Sequence, residues 1–184
     1  FIALVARLAI DFHSFEDNER GGLLIKDWAD DNTFPNLIYS FDSRVPDQND
    51  VILTLLIRLR RMGLFKKDDI RDYDLVSLSF CSDDLPERGF QFLVEWDPTS
   101  LIRTNRHGYL PLHYAARTSI RGFTIVFRYV IHYYPYQKGI RLLFIKKDNA
   151  RGLPSTTFQD ACQKYGRDVV MNVVEEILTR YHSE

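Results

Sequence analysis

The chain has 184 residues, 45 % apolar and 27 % charged, with 24 Lys and Arg against 25 Asp and Glu. That length fits one domain of about 100–200 residues, able to bury a core without disulfide or metal support. The composition is that of a globular chain rather than a disordered one. The near cancellation of charge excludes a single-sign field that would draw the whole chain to nucleic acid or anionic membrane.

The opening FIALVARLAIDF is apolar, but Arg7 and Asp11 interrupt it too early for a membrane span of about 20 residues. Their i, i+4 spacing lets them pair on one helix face. The basic start and small-residue cleavage site of a signal peptide are both missing. The start at Phe1, without methionine, reads as a fragment or processed segment. EDNERGG at residues 16–22 reads as a loop, and Leu23 to Trp28 as a short helix. Pro35 and Pro46 bracket a poorly periodic stretch, so residues 1–50 are expected to form a helical N-terminal segment with no firmer assignment.

From Val51 the period sharpens. Ile52, Leu55, Leu56, Leu59 and Met62 recur at three- and four-residue spacing, with Asp50 placed as an N-cap and Gly63 as the C-terminal stop. Arg58, Arg60, Arg61, Lys66 and Lys67 run directly into Asp68 and Asp69, which reads as a solvated helix end. Helices then come in pairs. The spacing and the proline and glycine stops predict helices over 51–63, 74–82, 88–96, 111–118, 122–134, 156–164 and 167–180. No strand alternation with hairpin signals competes.

Internal repetition is the most informative feature. Gly89-Phe90 and Gly122-Phe123 lie 33 residues apart, each opening an apolar helix that ends at proline. Asn105-x-x-Gly108 and Asn149-x-x-Gly152 lie 44 apart, each followed by a short helix with paired small residues, Ala115-Ala116 and Ala161-Cys162. A helix–turn–helix unit with a period near 33 is a repeat signature. The longer interval places an insertion at Tyr136 to Lys147.

The stretch NRHGYLPLHYAA at Asn105 to Ala116 resembles the ankyrin repeat: an amide, two variable residues, glycine, then Thr-Pro-Leu-His-x-Ala-Ala, with Leu110 in place of the family's threonine. Thr156-Thr157-Phe158 and Gln159 match the same pattern loosely. PLHYAA and the Tyr-Pro end of the outer helix resemble divergent ankyrin repeats numerous in some unicellular algae. The resemblance covers about residues 73–181. It implies an all-α, ankyrin-like stack of about three helix pairs over 51–184, behind the N-terminal segment. It also implies a protein-interaction scaffold that binds a protein partner through the concave face. The alternative is a regulatory or structural segment of a larger enzyme or receptor. Carried over residue by residue, the variable turn positions are Arg106, His107, Tyr109 and Arg151, and the exposed inner-helix positions are Tyr114 and Arg117. His113, Pro111 and Gly108 take structural roles, His113 bonding the backbone of a neighbouring turn.

The candidate chemistry reads the same way. Cys81 and Cys162 have no CxxC or Cys/His cluster around them and suit small buried positions. Asp27, Asp30, Asp31 and Asp83, Asp84 lack calcium-loop spacing. No phosphate loop, GxSxG or HExxH motif occurs. Phe90/Trp96 and Phe127/Tyr134 read as inter-repeat core, and His132, Tyr133, Tyr134 and Tyr136 as an aromatic patch that marks a contact site if part of it is exposed. The expectation is therefore no catalysis, no cofactor and no metal. An unknown protein partner is expected, with no nucleic acid or membrane partner. The chain is expected to be a monomer in an intracellular, reducing compartment.

Overall fold

The computed structural model describes residues 1–27, 31–41, 45–80, 87–147 and 154–182. Regular structure there is almost entirely helical: α1 (Ile2–Asp11), α2 (Thr33–Tyr39), α3 (Pro46–Arg61), α4 (Lys67–Asp72), α5 (Leu75–Leu78), α6 (Glu87–Trp96), α7 (Pro111–Thr118), α8 (Ile120–Tyr133), α9 (Gln137–Arg141), α10 (Thr157–Tyr165) and α11 (Arg167–His182). Two short strands, β1 (Lys146–Lys147) and β2 (Ser155–Thr156), pair antiparallel with Lys146 opposite Thr156.

Local chemistry sets the helix ends. Ser119 caps α8, its Oγ accepting from Gly122 N–H at 2.9 Å. Phe123, Val126, Phe127, Val130 and Ile131 then bury one face, and Tyr134, before Pro135, leaves the helical region at φ −132° and ψ 71°. At the end of α3, Leu64 N–H bonds Leu59 C=O and Gly63 N–H bonds Arg60 C=O, the paired bonds of a Schellman stop with Gly63 at φ +71°.

Two expectations need correction here. The helix α3 begins at Pro46 rather than Val51, so the boundary expected at residue 50 falls inside it. Asp50 is not its cap but pairs with Arg88 of α6. The polar first turn hid the start, because a 3.6-residue period needs apolar residues to show. The solvated reading of the charged run holds for Arg58, Arg60, Arg61, Lys66, Lys67 and Asp68, which are exposed, but not for Asp69. Asp69 is 3 % exposed, pairs with Arg20 at 2.5 Å and accepts from Lys66 N–H at 2.6 Å, which nucleates α4. Helix α5 is shorter than the span expected over 74–82; Cys81, Asp83, Asp84 and Pro86 of that stretch lie outside the described residues.

The helices pack as pairs in two rows. The pair α7–α8 lies against α10–α11, with α7 on α10 and α8 on α11. On its other side α5 touches α7. Phe90 of α6 meets Tyr129 of α8 edge-on at 5.5 Å, and Arg128 pairs with Glu87 across the same junction. One layer earlier, α2 packs on α5 and α3 on α6. The packing therefore continues before α5–α6 onto α3, most of which was expected as the 51–63 helix, and onto α2, in the stretch before residue 50 that the sequence left unassigned. Helix α1 rests on α3 through buried Ala3 and Ala6. One apolar core runs unbroken from Ala3 to Ile177.

The insertion expected at residues 136–147 is packed structure. It contributes α9, a 3-10 turn at Leu142–Phe144 and β1, and it buries Leu142 and Leu143. Gly139 allows the approach: a Cβ there would sit 2.3 Å from the Tyr134 carbonyl oxygen.

Candidate functional site

The turn before α7 is built on Asn105. Its Oδ1 accepts from His107 N–H at 2.9 Å and Tyr109 N–H at 3.0 Å, while its backbone N–H bonds Tyr109 C=O at 2.9 Å. Gly108 closes the loop at φ +77°, a conformation that penalises any side chain. The Asn105 amide also donates to the Tyr114 hydroxyl at 2.8 Å, tying the turn to the exposed side of α7.

Pro111 opens α7 and is buried. His113 is fully buried and uses both ring nitrogens: Nδ1 accepts from Leu110 N–H at 2.9 Å, and Nε2 lies 3.2 Å from Ile145 C=O. A ring that accepts at Nδ1 and donates at Nε2 is neutral. Burial pushes its pKa below the ordinary histidine value, and nearby Lys147 pushes the same way. The Ile145 carbonyl and Asp160 oppose them without cancelling the shift. Its counterpart in the next layer is Gln159, whose Oε1 accepts from Thr156 N–H at 2.9 Å while Thr156 Oγ1 accepts from Gln159 N–H at 3.2 Å. That reciprocal cap is complete in α10 and half-made in α7, since Leu110 has no oxygen to offer.

Leu110 occupies the core instead, at 1 % exposure. Leu110→Thr is therefore expected to destabilise despite completing the cap. The cap adds about 1 kcal/mol and losing the buried leucine removes about 1.5–3 kcal/mol. A lower urea midpoint than wild type checks this, and a higher one refutes it.

Beneath the turn sits an ion pair that sequence reasoning missed. Lys147 is 3 % exposed and its ammonium binds the Asp160 carboxylate of α10. The ammonium also lies 5.2 Å from the Tyr109 ring centroid. Tyr109 in turn packs edge-on against His113 at 6.1 Å and against Tyr114 at 5.5 Å. Burial raises the Asp160 pKa, but Lys147, Ser155 and Arg117 together outweigh it and leave it low. From α10, Lys164 donates to the Arg117 and Thr118 carbonyls and so satisfies the C-terminal end of α7.

Of the positions carried over from the resemblance, Arg106 and His107 are exposed at the turn tip and touch each other at 3.2 Å. Tyr109 and Tyr114 are half-buried, with edges on the same surface, and Arg117 is exposed one turn along α7. The structure gathers these five into one patch. Arg151 lies outside the described residues, as do Asn149 and Gly152. Asp74, from the preceding layer, faces Arg106 and His107. Burial nevertheless leaves its pKa raised.

The remaining candidates disperse. Burial pushes the Cys162 thiol pKa up, which makes its thiolate scarce at neutral pH. Asp27 accepts from Asp31 N–H and from the Asn36 amide. Phe90 and Phe127 are fully buried, whereas Trp96 is half-buried beneath the Arg60 guanidinium at 4.2 Å. Of the aromatic patch, His132 and Tyr136 are exposed, and Tyr133 and Tyr134 partly so. Among the described residues no three His, Cys, Asp or Glu side chains group as metal ligands, and no helix is long and apolar enough to cross a membrane. No family model, curated protein or solved structure matches the chain.

Proposed function

We propose that the chain is a protein-interaction module of divergent ankyrin-like repeats, and that it binds its partner through the surface formed by the 105–110 turn and the first helices of successive pairs. One observation carries the reading. Arg106, His107, Tyr109, Tyr114 and Arg117 project from a frame whose backbone is fixed from beneath by Asn105, His113 and the Lys147–Asp160 pair. Side chains held on a rigid frame lose little entropy on binding, and arginine and tyrosine are the types enriched at binding hot spots. The pairing of α7–α8 on α10–α11 supports the repeat reading, as does the matching position of His113 and Gln159. On this reading the chain acts as a single copy and carries out no chemistry of its own.

The test is a peptide-display selection against the folded protein. Selected ligands should lose at least about tenfold in affinity to Tyr114→Ala and Arg117→Ala variants whose melting curves match wild type. Ligands that bind both variants as well as wild type would refute the assignment of this face.

A further inference from the structure

The nearly neutral total conceals a polarised chain. Residues 1–100 carry 11 Lys and Arg against 19 Asp and Glu, whereas residues 101–184 carry 13 against 6. Because the layers stack in chain order, the sequence imbalance becomes a spatial one, with the positive end at α7–α11. The proposed binding surface lies at that end.

On the surface itself the imbalance is sharper. Arg106, Arg117, Lys146 and Lys164 are exposed there, beside exposed His107. Among the described residues of 103–118, 145–147 and 154–165, Asp160 is the sole carboxylate, and it is turned inward onto Lys147. From the neighbouring layer Asp74 faces Arg106 and His107, but it is half-buried. Lys164 spends its donors on the α7 carbonyls, yet its charge remains at the surface. Between the cations stand the half-buried rings of Tyr109 and Tyr114, 5.5 Å apart, which add apolar surface rather than more charge.

We infer, resting on the proposed function, that the partner presents an acidic segment: a stretch of Asp and Glu interleaved with aromatic residues, lying across Arg106, Tyr114 and Arg117. Carboxylates pair with the guanidinium groups, and aromatic rings pack on the tyrosine edges. Nucleic acid is the less favoured occupant. The cations are few, and Tyr109 and Tyr114 pack on each other at 5.5 Å, with Lys147 over the Tyr109 ring, which leaves less ring face for successive bases.

A labelled twelve-residue peptide of Glu, Asp and Tyr, and its counterpart with Gln and Asn in place of the acids, would be titrated into the full chain by fluorescence anisotropy. The acidic peptide should bind at least about tenfold tighter, and its affinity should fall several-fold as salt rises from about 50 to 300 mM. Arg106→Glu with Arg117→Glu should abolish that preference with an unchanged melting curve, while Arg180→Glu on α11 should not. Equal binding of the amide peptide, equal effects of the two reversals, or stronger competition by a single-stranded oligonucleotide than by acidic peptide would each overturn the inference. Display ligands that still require Tyr114 and Arg117 would in that case leave the interaction-module reading standing.

Discussion

Asp160→Ala is expected to cost about 3–5 kcal/mol, because it strands the Lys147 ammonium in a site that is 3 % exposed. Lys147→Met keeps the volume but leaves the less deeply buried Asp160 carboxylate without its cation, so it should cost less than Asp160→Ala, and Lys147→Met with Asp160→Leu, which removes both charges, should cost least. The contrast separates a buried pair held for positioning from one that adds net stability. The pH dependence has a definite sign. The folded-state pKa of Asp160 is lowered, so its contribution is complete above the ordinary carboxylate value near 4 and is lost as pH falls through the folded value. Urea denaturation of the three variants checks the order. An Asp160→Ala midpoint close to wild type would mean that Lys147 reaches water.

His113→Ala should cost about 2–4 kcal/mol, since it orphans the buried Leu110 N–H, removes the ring contact to the Ile145 carbonyl and leaves a void. His113→Gln should recover part of the loss, because Gln159 already shows a glutamine oxygen accepting the equivalent N–H one layer on. The two variants also isolate a pH effect. Burial first, and Lys147 second, lower the folded-state pKa of His113, so the unfolded chain takes up the proton more readily. Stability from the neutral ring is complete above about pH 6.5 and is lost as pH falls toward the folded value. Wild type should therefore weaken between about pH 6.5 and 5 more steeply than His113→Gln. Parallel curves would show that the ring is not the titrating group.

The elements legible in the sequence were those with an apolar period and a hard stop. Helix α8 runs from the Ser119 cap to Pro135, and α6, α7, α10 and α11 follow the same logic, so they fall within two residues of the spans expected from spacing. Helix α2 was not legible, because Thr33 to Tyr39 is too short to establish a period, and of α3 only the first turn was missed, because it opens on polar residues. Helix α4 has one buried apolar residue, Ile70, and owes its position to Asp69 and a partner 49 residues away, which no local window contains. The strands are two residues each, too short to alternate.

The site divides in the same manner. Arg106, His107, Tyr114 and Arg117 were reached through the NRHGYLPLHYAA stretch, where turn chemistry and helix phase fix exposure together. Lys147 was not, because nothing in a Lys146-Lys147 doublet says which lysine faces inward until β1 pairs with β2 and sets the alternation. Asp160 looked like an ordinary first-turn acid of α10, and its burial follows from the insertion folding over it.

Hydrogen exchange of the complex with a display-selected ligand tests the central claim most directly. Protection should appear in residues 105–118 and along the exposed side of α10, and leave the second-helix row α3, α6, α8 and α11 unchanged. Protection confined to that second row, or to α1, would contradict the account and move the interaction surface elsewhere on the molecule.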